Sequence, residues 1–205
     1  MQYQHSYGGP FAGVRQREDT CDMLAFNTFI GNLLIRLDND ERAVVIMRGI
    51  AGAGKTTAAQ TIENECSKNG YCAATFSGDA YFAERGLNFV HTALEQAHNE
   101  CKRRFDQARR DPNGPRVLVV DNTNIFRNHY EPYIVEDQGW STYFVTMECW
   151  EMEVCLWMGF RSRTPMETVI RNFEDMQDQG WDDAIAADDE HNVGLVPLPL
   201  GWLDE

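Results

Sequence analysis

Apolar residues fall along this chain in blocks, and the spacing within a block changes from three-and-four to unbroken runs. From Asp19 to Leu37, the residues Met23, Phe26, Phe29 (or Ile30), Leu33, Leu34 and Leu37 recur at helical spacing, with Asp19 or Thr20 placed to cap the helix. The simple reading is a helix packed on the core edge; a partner-binding helix is the alternative. Asp38-Asn39-Asp40 turns the chain. Ala43-Val44-Val45-Ile46-Met47 then runs without alternation, short and β-branched, which predicts a strand covered on both faces.

Helix-forming residues follow as far as Lys68-Asn69-Gly70, where glycine suits a left-handed terminus. Tyr71 to Phe76 reads as a second strand. Residues 88–110 read as a long helix striped by Leu94, Ala97 (or His98), Cys101, Phe105 and Ala108. Asp111-Pro112-Asn113-Gly114-Pro115 is a loop. Val117 to Val120 is a third apolar run, and it ends in Asp121. The pattern predicts a helix over 130–138, a strand from Trp140 to Met147, and two helices within 151–179 separated by a basic interruption. The second of these opens on Thr164-Pro165, cap then first position. The expected fold class is α/β, a parallel sheet flanked by helices; with the G-x-x-x-x-G-K-S/T run at Gly49–Thr56 the expectation becomes a P-loop kinase-type sheet with a helical lid. Its expected divisions are an N-terminal extension (1–42), a core (43–182) with the lid at about 156–178, and an acidic C-terminal strap (183–205) lying across the surface.

The chemistry is concentrated between the first strand and the helix after it. Gly49-Ile50-Ala51-Gly52-Ala53-Gly54-Lys55-Thr56 fits G-x-x-x-x-G-K-S/T at every fixed position. Glycines let the backbone curl so that successive N–H groups face phosphate oxygens. The following helix offers unpaired amides and the positive end of its dipole. Gly49, Ala51, Gly52, Ala53, Gly54, Lys55, Thr56 and Thr57 are therefore the expected nucleotide contacts. Lys55 would reach the β- and γ-phosphates, and the Thr56 hydroxyl would ligate Mg²⁺. A glycine-rich turn that binds nothing is the alternative, but strand and helix stand where a phosphate loop needs them.

Other candidates follow at the ends of later strands, where sites of open α/β sheets lie. Asp79, in Ser77-Gly78-Asp79-Ala80-Tyr81-Phe82, is a candidate general base or Mg²⁺ contact, or a helix-capping aspartate. Asp121 has the form of the second nucleotide-site carboxylate and is a candidate metal ligand; Asn122-Thr123-Asn124 adds short hydrogen-bonding groups. Asn122 and Arg127 are candidate substrate contacts. Arg161 and Arg163 lie between two helices, as a phosphate-clamping lid or as two solvated arginines. His91 and His98 read as core or surface residues rather than ligands. Lys102, Arg103, Arg104, Arg109 and Arg110 read as a solvated helix face or a nucleic-acid contact.

Composition narrows the partners. The 205 residues suit one domain with extensions, and 43% hydrophobic content is ordinary for a globular chain. No apolar stretch is long enough to predict a membrane span, and the first ten residues carry no export pattern. Six cysteines without a C-x-x-C pair, in a chain with no export pattern, predict free buried thiols rather than structural zinc, and both the cytoplasm and the nucleus fit. A net charge of −14 argues against broad, non-specific nucleic-acid binding, though not against a local basic groove. Asp182, Asp183, Asp188, Asp189, Glu190, Asp204 and Glu205 gather the acidic excess at the C-terminal end.

Taken together, RGIAGAGKTT, SGDAYF, VVDNTN and the later EPY resemble the P-loop polynucleotide kinases over residues 43–178. They are most similar to the kinase-type domain of animal proteins that bind a HECT ubiquitin ligase. The amino-terminal half of the myelin cyclic-nucleotide phosphodiesterase and the zeta-toxin-like kinases are more distant relatives. The resemblance implies transfer of the ATP γ-phosphate to a 5′-hydroxyl end of RNA or DNA. It places Lys55 and Thr56 on ATP–Mg²⁺, Asp79 as the base, Asn122, with or without Asp121, by the acceptor or metal, and Arg161 and Arg163 as lid clamps. A nucleoside triphosphate and a nucleic-acid end are thus the expected partners. A small-molecule kinase for a nucleotide or sugar stays open. So does a nucleotide-binding interaction module, with a protein bound through the N-terminal helix or the strap. The chain departs from the family at Ala80, where a second acid is common, and at Phe82, where the phage-type enzyme has arginine. Gly159-Phe160 stands where many relatives start the lid with Arg-Asn.

Overall fold

In a computed structural model, the described residues are 19–87, 90–135, 139–147, 152–161, 164–179 and 192–195. The elements run α1 (Asp19–Asp38), β1 (Arg42–Arg48), α2 (Lys55–Lys68), β2 (Ala73–Phe76), α3 (Gly78–Glu84), α4 (Leu94–Arg110) and β3 (Val117–Asp121). α5 (Arg127–Tyr130), β4 (Trp140–Met147), α6 (Met152–Arg161), α7 (Met166–Gln179) and β5 (Asn192–Leu195) follow. All strand pairings are parallel, in the order β2-β3-β1-β4-β5.

The unbroken apolar runs have the cause expected of them. In β1, every residue from Ala43 to Met47 is buried, because helices cover both faces. Ala43, Val45 and Met47 point to the side of α1 and α2, meeting Leu33, Ala59 and Ile62, with Cys155 of α6 and Val169 of α7. Val44 and Ile46 point to the side of α4, meeting Cys101, Phe105, Tyr130 and Tyr133. The chain leaves β1 toward β2 on one side of the sheet and leaves β4 toward β5 on the other. A crevice therefore opens at the carboxyl ends of the central strands.

Four expectations change. Over 130–135, the described part of the stretch 130–138, the expected helix is not formed: α5 is a single turn, Glu131–Tyr133 is a 3₁₀ turn, and the backbone is extended by Ile134; residues 136–138 lie outside the described residues. Pro132 supplies no amide, and its ring obstructs a continuing α-helix. The long helix begins only at Leu94, after a 3₁₀ turn over His91–Ala93. Within the stretch read as a strap, Asn192–Leu195 pairs with Phe144–Met147 as an edge strand; the rest of 183–205 lies outside the described residues. Cys66, Cys72 and Cys101 are free thiols, but Cys155 is disulfide-bonded. Among the described residues no helix is long and apolar enough to cross a membrane.

Candidate active site at the phosphate loop

The loop after β1 is built by glycine. Gly49 sits at φ 138, and a Cβ there would lie 2.7 Å from the Met147 carbonyl oxygen of β4. Gly52 and Gly54 take φ 83 and 89, a region that side chains resist. The Ala53 amide donates to the Ile50 carbonyl at 3.3 Å and closes the turn. Gly54 is the N-cap of α2 and offers no side-chain bond, so the first-turn amides have no partner within the helix. An uncapped helix end behind a curled loop is a fit for phosphate.

Lys55 and Thr56 begin α2. Lys55 is 8% exposed, and its Nζ donates to the Ile50 carbonyl at 2.7 Å. Burial pushes its pKa down to about 8, against the opposing pull of the Asp121 and Asp79 carboxylates. The Thr56 hydroxyl donates to Asp121 Oδ2 at 2.6 Å. Burial raises the Asp121 pKa; the Thr56 bond and Lys55 pull it down, and Asp79 pushes it up. A hydroxyl and a carboxylate are hard oxygen donors suited to Mg²⁺, which keeps waters and phosphate oxygens for its remaining positions. Among the described residues no three His, Cys, Asp or Glu side chains cluster as a metal site.

Asp79 reaches this point from β2. The Ser77 hydroxyl accepts from the Asp79 amide at 3.0 Å and the Ala80 amide at 3.4 Å, which starts α3. Asp79 is exposed in that first turn, close enough for its charge to act on Lys55 and Asp121. The cap is thus Ser77 and not Asp79, which stands in the first turn as a candidate site carboxylate. Asn122 Oδ1 accepts from the Gly78 amide at 2.8 Å, tying the end of β3 to α3. A Cβ on Gly78 would lie 3.7 Å from the His98 ring, so His98 borders the same spot.

The structure therefore gathers Gly49–Thr57, Asp79, Asp121 and Asn122 at one sheet edge. Arg127 heads α5, exposed, with its Nε 3.3 Å from Glu131 Oε1. Arg161 closes α6, but its side chain, like the whole of Arg163, lies outside the described residues. α6 and α7 meet at Gly159, where a Cβ would lie 2.3 Å from Val169 Cγ2.

Arg48 was not singled out from the sequence, whereas Asn124 was read as a short hydrogen-bonding group and Arg104 as part of a basic helix face. Arg48 and Asn124, both buried, lie beneath the loop. Arg104 forms a two-pronged pair with Glu84 at 2.5 and 2.6 Å and reaches Glu100 at 2.8 Å, bracing α3 against α4 beside a cavity of about 150 Å³. Arginine at the end of an apolar strand, directly before the loop, was the one available signal.

Fold and loop together define the class: a parallel α/β domain with a P-loop. No family model matches the chain. Solved structures that resemble it include a gluconokinase from Sinorhizobium meliloti 1021, with 16% identity, 76% of this chain and 83% of that one covered, and a TM-score of 0.47. Another, from Silicibacter sp. TM1040, is described as a fructose transport system kinase; identity is 16%, coverage 75% and 94%, and the TM-score 0.44. Neither is described as a polynucleotide kinase, and likeness at this level assigns this chain no substrate.

Proposed function

We propose that this chain is a phosphotransferase that moves the γ-phosphate of ATP to an acceptor hydroxyl. The observation that carries the reading is the Thr56–Asp121 bond at 2.6 Å, in the first turn of a helix without a side-chain cap, with the Asp79 charge near enough to act on Lys55 and Asp121. The loop amides and Lys55 bind the phosphates. Thr56 and Asp121 would hold Mg²⁺, which would supply positive charge to the phosphoryl oxygens. Asp79 takes the proton of the acceptor hydroxyl as its oxygen bonds to phosphorus and ADP leaves. Help of that kind is worth about 10²–10⁴ in rate. Asn122 fixes the acceptor side, and Arg161 and Arg163 clamp the transferring group.

A small, weakly charged acceptor fits this site better than a nucleic-acid end. Lys102 pairs with Asp106 at 2.5 Å, Arg103 with Glu100 at 2.8 Å, and Arg104 and Arg127 with the glutamates given above. Lys102, Arg103, Arg104 and Arg127, four of the cations of α4 and α5 that could meet a phosphate backbone, are thus matched by carboxylates, in a chain of net charge −14.

Transfer of labelled γ-phosphate tests both levels. The panel is nucleosides, sugars and sugar acids beside 5′-hydroxyl RNA and DNA oligonucleotides, with Lys55→Ala and Asp79→Asn as controls. Label on a small acceptor, lost in both variants, is expected. Label on oligonucleotide ends alone would reverse the choice of acceptor. Binding of ATP–Mg²⁺ without label on anything would leave a nucleotide-binding module.

A further inference from the structure

The loop after β3 is latched to the last residues of β1. Arg48 closes β1 and is 2% exposed. Its Nε donates to the Asn124 carbonyl at 3.1 Å and its Nη2 to the Ile125 carbonyl at 2.9 Å. The guanidinium carbon lies 5.6 Å from the centroid of the Tyr130 ring. Bonds also run the other way. Asn124 Nδ2 donates to the Met47 carbonyl at 2.7 Å, and the Gly49 amide donates to the Thr123 carbonyl at 2.9 Å. Asn124 is buried with φ 47, a left-handed conformation that asparagine tolerates better than most residues.

What the latch holds is the site. Asp121 and Asn122 come directly before the latched residues, and Gly49 opens the phosphate loop directly after Arg48. Asn122 in turn holds the Gly78 amide at 2.8 Å, one residue before Asp79. Three parts of the site therefore share one reference: the loop, the Asp121 carboxylate and the start of α3. Taking a guanidinium out of water is costly, and an apolar side chain fills such a place more cheaply. Lysine cannot replace the arrangement, because two carbonyls on successive residues need two donors on a rigid fork.

We propose that Arg48 is a positioning residue that fixes residues 122–125, and with them Asp121, so that the Thr56 and Asp121 oxygens that would hold Mg²⁺ are preset before it binds. The proposal rests on the nucleotide–Mg²⁺ part of the phosphotransferase reading and on nothing about the acceptor. Partners one step removed from a metal commonly alter its affinity by about 10–100-fold when lost.

The test compares the full chain with R48M and R48K. Binding of a fluorescent ADP analogue is measured in EDTA and then across a Mg²⁺ titration; amide exchange over Thr123–Phe126 is measured without nucleotide. Expected is unchanged affinity in EDTA, with the Mg²⁺ concentration for half-maximal tightening raised about tenfold in R48M and less in R48K. Exchange over Thr123–Phe126 is expected to rise in both. Equal losses with and without Mg²⁺ would overturn the proposal, as would a midpoint and exchange that match the wild type. If R48M does not fold, R48K decides, and a midpoint within about twofold of the wild type counts against the proposal. If the wild type shows no Mg²⁺-dependent nucleotide binding, the phosphotransferase reading fails, and amide exchange alone then decides the latch.

Discussion

Lys55→Met separates what the lysine does for the fold from what it does for the nucleotide. The ammonium is buried, and its pKa falls from 10.5 to about 8, a drop of about 2.5. At about 1.36 kcal/mol per pH unit, holding it charged costs the ligand-free fold roughly 3 kcal/mol. Methionine keeps most of the stem and removes the charge. It also removes the 2.7 Å bond to the Ile50 carbonyl, a loss of about 1.5–3 kcal/mol for a charged donor. The two terms nearly cancel, so at pH 7 the ligand-free variant is expected to be as stable as the wild type or up to about 2 kcal/mol more stable by denaturant unfolding. The pH dependence follows from the sign of the shift. The folded pKa is depressed, so between about 8 and 10.5 the unfolded chain binds more protons, and stability rises with pH across that window. The wild type should gain on Lys55→Met by up to about 1.4 kcal/mol per pH unit there, with no relative gain below it. ATP–Mg²⁺ should raise the melting temperature of the wild type and leave the variant unmoved. A loss above about 2 kcal/mol at pH 7, or a stability gap flat from pH 7 to 9.5, would show that the charge is well compensated and the reasoning wrong.

Four further outcomes are expected. Gly49→Ala puts a methyl 2.7 Å from the Met147 carbonyl oxygen at a positive φ, and should cost more than about 1 kcal/mol in denaturant unfolding and abolish nucleotide-induced stabilisation. Thr56→Val should leave nucleotide affinity in EDTA near that of the wild type while removing most of the Mg²⁺-dependent tightening, read by calorimetry. Ser77→Ala removes the cap of α3 and should cost about 1 kcal/mol, with faster amide exchange confined to Asp79–Glu84. Leu33→Ala, at 1% exposed beneath the sheet, should cost about 2–5 kcal/mol with no change in the Mg²⁺ dependence of nucleotide binding.

How much of this was legible in the sequence depended on how far each signal reached along the chain. β1, the phosphate loop and α2 form one contiguous stretch, so Val44 to Lys68 could be read directly. β3 was legible because both its faces are buried, which leaves an unbroken apolar run with Asp121 at its end. The helix expected over 130–138 failed because Tyr130, Tyr133 and Ile134, three and four apart, pack on the core from a turn and the start of an extended segment, a spacing that imitates a helix once Pro132 is overlooked. β5 was illegible for the opposite reason: Asn192-Val193-Gly194-Leu195 has almost no strand pattern and is set by its pairing with β4.

The same distinction explains the basic stretch of α4. Along the sequence, Lys102-Arg103-Arg104 is a positive cluster, and a positive cluster suggests phosphate. In the fold, Arg104 is shared by Glu84, twenty residues earlier on α3, and by Glu100, whose pKa its two arginine neighbours pull down to about 2. Two carboxylates around one guanidinium leave little net field for an anion, whatever the local count of arginines. They also tie the far end of α3, so the helix that carries Asp79 is held at its start by Asn122 and at its finish by Arg104. Removing Arg104 should therefore slow transfer through misplacement of Asp79 rather than weaken an acceptor by lost charge. Arg104→Met is expected to lower kcat with ATP affinity unchanged, and Arg104→Lys to restore only part of it, since lysine cannot bridge both glutamates as a fork. A rise in the acceptor KM at unchanged kcat would instead mean that Arg104 leaves its glutamates and meets the acceptor directly.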